Sequence, residues 1–126
     1  MEVKDLGQLV NTFDAAAGEA LAKRESHTPK IEIPPVIKAG EAVTVKVSVG
    51  PHPSTVEHSI RWVTVFFAEE GRAFNPIVVA KASFNAGTTD PEVVFKVKFG
   101  KGGVLHAVEY CNMHGIWSAK KEIKVG

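Results

Sequence analysis

The sequence predicts an all-β sandwich of about seven strands preceded by a short N-terminal helix, and three observations lead there. Val43, Val45, Val47 and Val49 share one face of an alternating run, the period-two pattern of a half-buried strand. Further short alternating runs follow along the chain, separated by turns rich in glycine and proline. Only ahead of Pro29 do apolar residues recur at helical spacing instead.

Taken in order, Leu6, Leu9, Val10, Phe13, Ala16, Ala17, Ala20 and Leu21 predict one helix. Asp5 and Gln8 stand as its N-cap and N3 partner, and Gly18 is its weak point. The strands are expected over Val43–Val49, Ile60–Phe67, Val78–Phe84, Val93–Phe99, Val104–Tyr110 and Glu122–Val125. In the fourth, Val93, Phe95, Val97 and Phe99 face a core while Lys96 and Lys98 face water. Turns fall at Lys38–Gly40, Gly50–Ser54, Gly71, Gly87–Pro91 and Gly100–Gly103. No repeat or linker interrupts this order, so residues 1–23 read as a helical extension and residues 24–126 as the sandwich.

With 126 residues, 44% of them hydrophobic, the chain has the size of one domain with one core. Its formal charge of +1 comes from interspersed lysines and glutamates, which argues against nucleic acid as a partner. No apolar run nears the roughly 18 residues of a membrane span. The opening MEVKDLGQLV lacks the basic-then-apolar order of a secretion signal. With one cysteine, the expectation is a cytoplasmic protein and no membrane partner.

That cysteine, Cys111, stands three residues before His114 in YCNMHG. His52 and His58 flank the turn HPSTVEH, and His27 lies in ESHTPK, so four of the five histidines occupy turn segments that can converge. Imidazole suits zinc, copper, iron and nickel, and a thiolate adds softness and negative charge. Structural zinc normally closes with paired ligands, and there is no second cysteine. The set therefore favours a redox metal with nitrogen ligands and one sulfur. Pro51 and Pro53 stiffen the backbone around His52.

Three motifs in this order resemble the superoxide reductase, or neelaredoxin, family: ESHTP at Glu25–Pro29, HPSTVEH at His52–His58 followed by Ile60–Trp62, and YCNMHGIW at Tyr110–Trp117. The resemblance covers roughly Arg24 to the C-terminus. It implies an immunoglobulin-like β-sandwich and a mononuclear non-haem iron, cycling between Fe2+ and Fe3+. His27, His52, His58 and His114 would be its equatorial ligands and Cys111 its axial one. Glu25 would bind the sixth position in the oxidised state, so that Glu25 and Cys111 carry catalysis. The implied reaction is one-electron reduction of superoxide to hydrogen peroxide, with an external rubredoxin-like donor and a homotetrameric assembly. Most relatives carry a lysine where this chain has Ser26. Lys23, Arg24 and Arg61 are the nearby cations.

Taken singly, the same residues have plainer readings. Cys111 alone is a small buried hydrophobe, His52 and His58 are surface residues, and Glu25 is an exposed carboxylate. His106 reads as structural, and Trp62 and Trp117 as core or site wall. The alternative of a blue-copper electron carrier needs an axial methionine, for which Met1 and Met113 are both misplaced, and it leaves two histidines unused. An immunoglobulin-like binding module would make the cysteine incidental. A cysteine hydrolase would lack an orienting third group.

Overall fold

Eight strands make two facing sheets in a computed structural model that describes residues 4–126. The first three residues of the extension assigned to 1–23 lie outside the described ones. The valine run forms β3 (Ala42–Ser48), which sits between β2 (Lys30–Glu32) and β6 (Glu92–Lys98) in a three-stranded antiparallel sheet. Opposite it lies a five-stranded sheet in the order β1 (Asn11–Thr12), β8 (Gly115–Ile123), β7 (Gly103–Cys111), β4 (Ile60–Glu69), β5 (Ile77–Ser83). All pairings are antiparallel except that of β1 with β8.

The core lies between the sheets and follows the period of two. Val45 and Val47 from β3 meet Val63, Val65 and Phe67 from β4, Leu105 and Ala107 from β7, and Ile123 from β8. Phe67 and Phe99 pack edge to face at 4.9 Å between ring centroids, a favoured aromatic geometry. Gly103 opens β7 because a Cβ there would collide with the Ala68 carbonyl oxygen of the neighbouring strand.

Two expectations need correction. The helical run is not one helix: α1 covers Leu6–Leu9 only, β1 follows, and a 3-10 helix (Gly18–Lys23) leads into α2 (Arg24–His27). The Asp5 N–H does donate to Gln8 Oε1 at 2.9 Å, as expected of a capping box. But Leu6, Leu9 and Leu21 are at least half exposed, so no core rewards continuing the helix. Asn11 instead pairs with Trp117, and its side-chain amide donates to the Ile116 carbonyl. The last strand is also longer than expected, starting at Gly115 rather than Glu122. It begins at once after the CNMH turn because Cys111 and Gly115 are still paired partners.

Candidate metal centre

β7 ends at Cys111 and β8 starts at Gly115, so the turn between them holds the thiol and His114 at one end of the sandwich. β4 begins at Ile60, one residue beyond HPSTVEH, which brings His52 and His58 to the same end. Asn112 ties the two loops together: Oδ1 accepts from the Ser59 N–H and Nδ2 donates to the Glu57 carbonyl, both at 2.9 Å. α2 delivers His27 from a third direction, buried to 3% exposure.

One donor atom from each of His27, His52, His58, Cys111 and His114 lies within 4.8 Å of every other. The rings form a closed cycle of edge-to-face contacts. His27 meets His52 at 4.7 Å, His52 meets His58 at 4.5 Å, His58 meets His114 at 5.0 Å, and His114 meets His27 at 5.0 Å. Cys111 Sγ approaches this cycle, 3.5 Å from His52 Nε2 and 3.7 Å from His114 Nδ1.

Hydrogen bonding fixes which ring nitrogens face inward. His27 Nδ1 lies 3.0 Å from the Lys23 carbonyl and His52 Nδ1 lies 2.7 Å from the Pro53 carbonyl. A carbonyl only accepts, so each Nδ1 carries the proton and each Nε2 presents a lone pair. Those two Nε2 atoms are 3.2 Å apart. Two lone pairs repel at that distance unless a cation lies between them, and ligands at a right angle about one metal are separated by roughly 3 Å. His58 Nε2 is likewise buried with no hydrogen-bond partner. The residues present therefore fit a metal.

Protonation states agree with that reading. Burial lowers the His27 pKa to about 4, against the Lys23 carbonyl that supports its protonated form. Burial also lowers His52 and His114, so these imidazoles are neutral donors at neutral pH. Burial pushes the Cys111 thiol up, opposed by the backbone N–H groups of Met113 and His114. A bound cation supplies the charge that releases the thiol proton.

Trp117 is a wall of the site, 1% exposed, with its ring tilted 5.4 Å from His27 and its N–H donating to the His114 carbonyl. Trp62 instead stacks on Tyr110. His106 stays away from the cluster, beside Lys120 and Ser118. Glu25 is exposed and lies outside the set of clustered donors. It lines a recess of ≈ 580 Å³ with Phe13, Arg24, Lys30 and Pro51.

Sequence reading missed two polar residues. One is Asn112, whose only signal is an amide between two candidate ligands. The other is Glu109, fully buried on the core face of β7 that leads to Cys111, with neither oxygen hydrogen bonded. Burial raises its carboxyl to about 9. Strict alternation with Leu105, Ala107 and Cys111 was the available clue.

A sandwich whose loops gather four imidazoles about one thiol defines a mononuclear non-haem metal protein. Met113 is 60% exposed, so the copper alternative lacks its axial thioether. The desulfoferrodoxin family pattern matches residues 19–120, and the chain belongs to that family. It is similar to the superoxide reductase (neelaredoxin) from Ignicoccus hospitalis, 52% identical over 98% of this chain and 100% of that one, with a TM-score of 0.91. It also resembles the superoxide reductase of Thermococcus kodakarensis, 46% identical over 75% of this chain and 84% of that relative. A third relative is that of Pyrococcus horikoshii, 41% identical over 81% of this chain and 90% of that relative. The protein is thus an oxidoreductase acting on superoxide, with one mononuclear iron per chain.

Proposed function

We propose that His27, His52, His58, His114 and Cys111 would hold the iron, and that Glu25 would add its carboxylate to the oxidised centre and release it on reduction. The observation that carries this reading is the convergence of five donor atoms within 4.8 Å, with two Nε2 lone pairs facing each other. When bound, the iron supplies the electron that, with two protons from solvent, turns superoxide into hydrogen peroxide.

The side chains set the conditions for that step. Four neutral imidazoles and one thiolate leave a ferrous centre with a charge near +1, which attracts an anion. The N–H groups of Met113 and His114 temper how much electron density the sulfur donates. Ser26 carries no charge, and its hydroxyl donates to the Lys23 carbonyl while lying 2.8 Å from His27 Nδ1. It therefore helps to orient His27, and attraction of superoxide falls to the iron itself or to Lys23, Arg24 and Arg61. Trp117 screens one flank from water, while Glu25 stands ready on the turn that carries His27.

The remaining proposals concern context. An external rubredoxin-like protein is the electron donor, since a single iron must be reduced again after each turnover. The unit is a homotetramer, a reading supported by half-buried Trp62, Phe66, Val104, Val108 and Tyr110 on the outer face of the five-stranded sheet. Cytoplasmic placement accords with the free Cys111. Among the described residues no helix is long and apolar enough to cross a membrane. The iron-carrying sandwich is assigned to residues 24–126 and the extension to residues 1–23, although the extension also lends β1 to the edge of the five-stranded sheet.

The test is iron analysis with the visible spectrum of the oxidised protein. One iron per chain and a thiolate-to-iron band that vanishes in Cys111→Ser support the ligand set. Stoichiometric iron with a band unchanged in Cys111→Ser contradicts it.

A further inference from the structure

The Arg24–His27 turn carries two groups held very differently. His27 is buried at 3% exposure and bonded to the Lys23 carbonyl, whereas Glu25 is exposed. The ion pairs of the described residues join Lys46 to Glu32 and Glu92, and none involves Glu25.

What holds the Glu25 end comes from the N-terminal segment. Asn11 and Thr12 pair with Trp117 and Ser118, and the Asn11 amide donates to the Ile116 carbonyl at 3.2 Å. This fixes where the next residue, Phe13, leaves the sheet edge. The Arg24 guanidinium carbon lies 4.4 Å from the Phe13 ring centroid, within cation–π range. Phe13 and Arg24 also form part of the recess that Glu25 lines. A continuous series of contacts thus runs from β8 through Phe13 and Arg24 to Glu25.

We infer that Phe13 is a positioning residue which, stacked on Arg24, latches the turn with Glu25 in the recess and biases the site toward its open form. The inference rests on the ligand role proposed above for Glu25. In the structure the latch is formed and Glu25 lies outside the donor cluster, so latch and open site occur together. An equilibrium moves only as far as one state is stabilised over the other. An exposed cation–π contact corresponds to a factor of roughly two to five. Releasing it favours closure by Glu25, and azide competing for the oxidised iron should bind more weakly by that factor.

The experiment titrates azide into oxidised, iron-loaded wild type, Phe13→Ala, Phe13→Leu, Phe13→Tyr and Glu25→Ala, read by the visible spectrum. Amide hydrogen exchange of residues 24–28 is followed in the metal-free proteins. The expected result is azide binding roughly two- to fivefold weaker in Phe13→Ala and Phe13→Leu, wild-type behaviour in Phe13→Tyr, and tighter binding in Glu25→Ala. Exchange in the turn should quicken in Phe13→Ala and Phe13→Leu only. Unchanged or tighter azide binding in Phe13→Ala, alongside tighter binding in Glu25→Ala, overturns the latch and leaves the ligand role standing. Unchanged azide binding in Glu25→Ala overturns the ligand role. Turn exchange at the wild-type rate in Phe13→Ala overturns the latch independently of iron.

Discussion

The two faces of the imidazole cycle are built from different material. On the sulfur face, Cys111 is fully buried at the end of a nine-residue strand paired on both sides, and Trp117 closes the flank. Glu25, proposed for the other face, rides on a four-residue turn that is exposed at this residue and whose Arg24 stacks on a 38%-exposed phenylalanine. On the function proposed above, the contrast would divide the tasks: the sheet would fix the ligand that governs electron density, and a short turn would serve the position where anions arrive and leave. Stiffness on one side is compatible with exchange on the other because the imidazoles are held by separate loops.

The largest effect should come from breaking the stiff face. Cys111→Ser removes the proposed sulfur ligand, so the loss of superoxide reduction should exceed the roughly 10–100-fold typical of changes to supporting groups, measured by fast mixing or pulse radiolysis. Next comes the tie between the loops. Asn112→Ala leaves the Ser59 N–H and Glu57 carbonyl without their partner, at a cost of about 1–3 kcal/mol. Thermal unfolding of the metal-free protein should register it, and iron should be held less tightly.

Changes on the exposed face should be gentler and selective. Glu25→Ala should leave the first encounter with superoxide fast, while the oxidised protein binds azide or cyanide more readily. Equal anion affinity in mutant and wild type would count against closure by Glu25. Ser26→Lys should raise the rate by less than about tenfold, and rising ionic strength should slow the wild type, since Lys23, Arg24 and Arg61 already supply attraction. A wild type without activity that Ser26→Lys rescues would refute that division.

The smallest effect serves as a reference away from both faces. Burial, followed by Lys120, lowers the His106 pKa below 6.5. Below that value the unfolded chain binds more protons at this position than the folded one, so acid destabilises the fold and stability returns as pH rises toward 6.5. His106→Gln should flatten that part of the slope in metal-free protein, measured by denaturant unfolding across the window. An unaltered slope would place the acid sensitivity elsewhere.

Legibility in sequence tracked what determined each element. Val43 to Val49 and Val93 to Phe99 were readable because burial on one face dictates alternation. Leu6 to Leu21 misled because their spacing satisfies a helix, yet the segment is set by Asn11 pairing with Trp117, more than a hundred residues away. His27, His52, His58, Cys111 and His114 were recognisable from three motifs, and the structure brings their donors together. Glu109 and Asn112 escaped because alternation marks only the face Glu109 occupies, and an amide between two candidate ligands does not reveal the loop it bridges to.

The division of labour is tested most directly by the products of a defined dose of superoxide, given to the reduced, iron-loaded protein with an external reductant. A stiff thiolate face and a glutamate-closed oxidised state predict one hydrogen peroxide per superoxide, consumption of reductant and no oxygen. Oxygen released at one molecule per two superoxides would contradict it, because the oxidised site would then be open enough to take an electron back from a second anion.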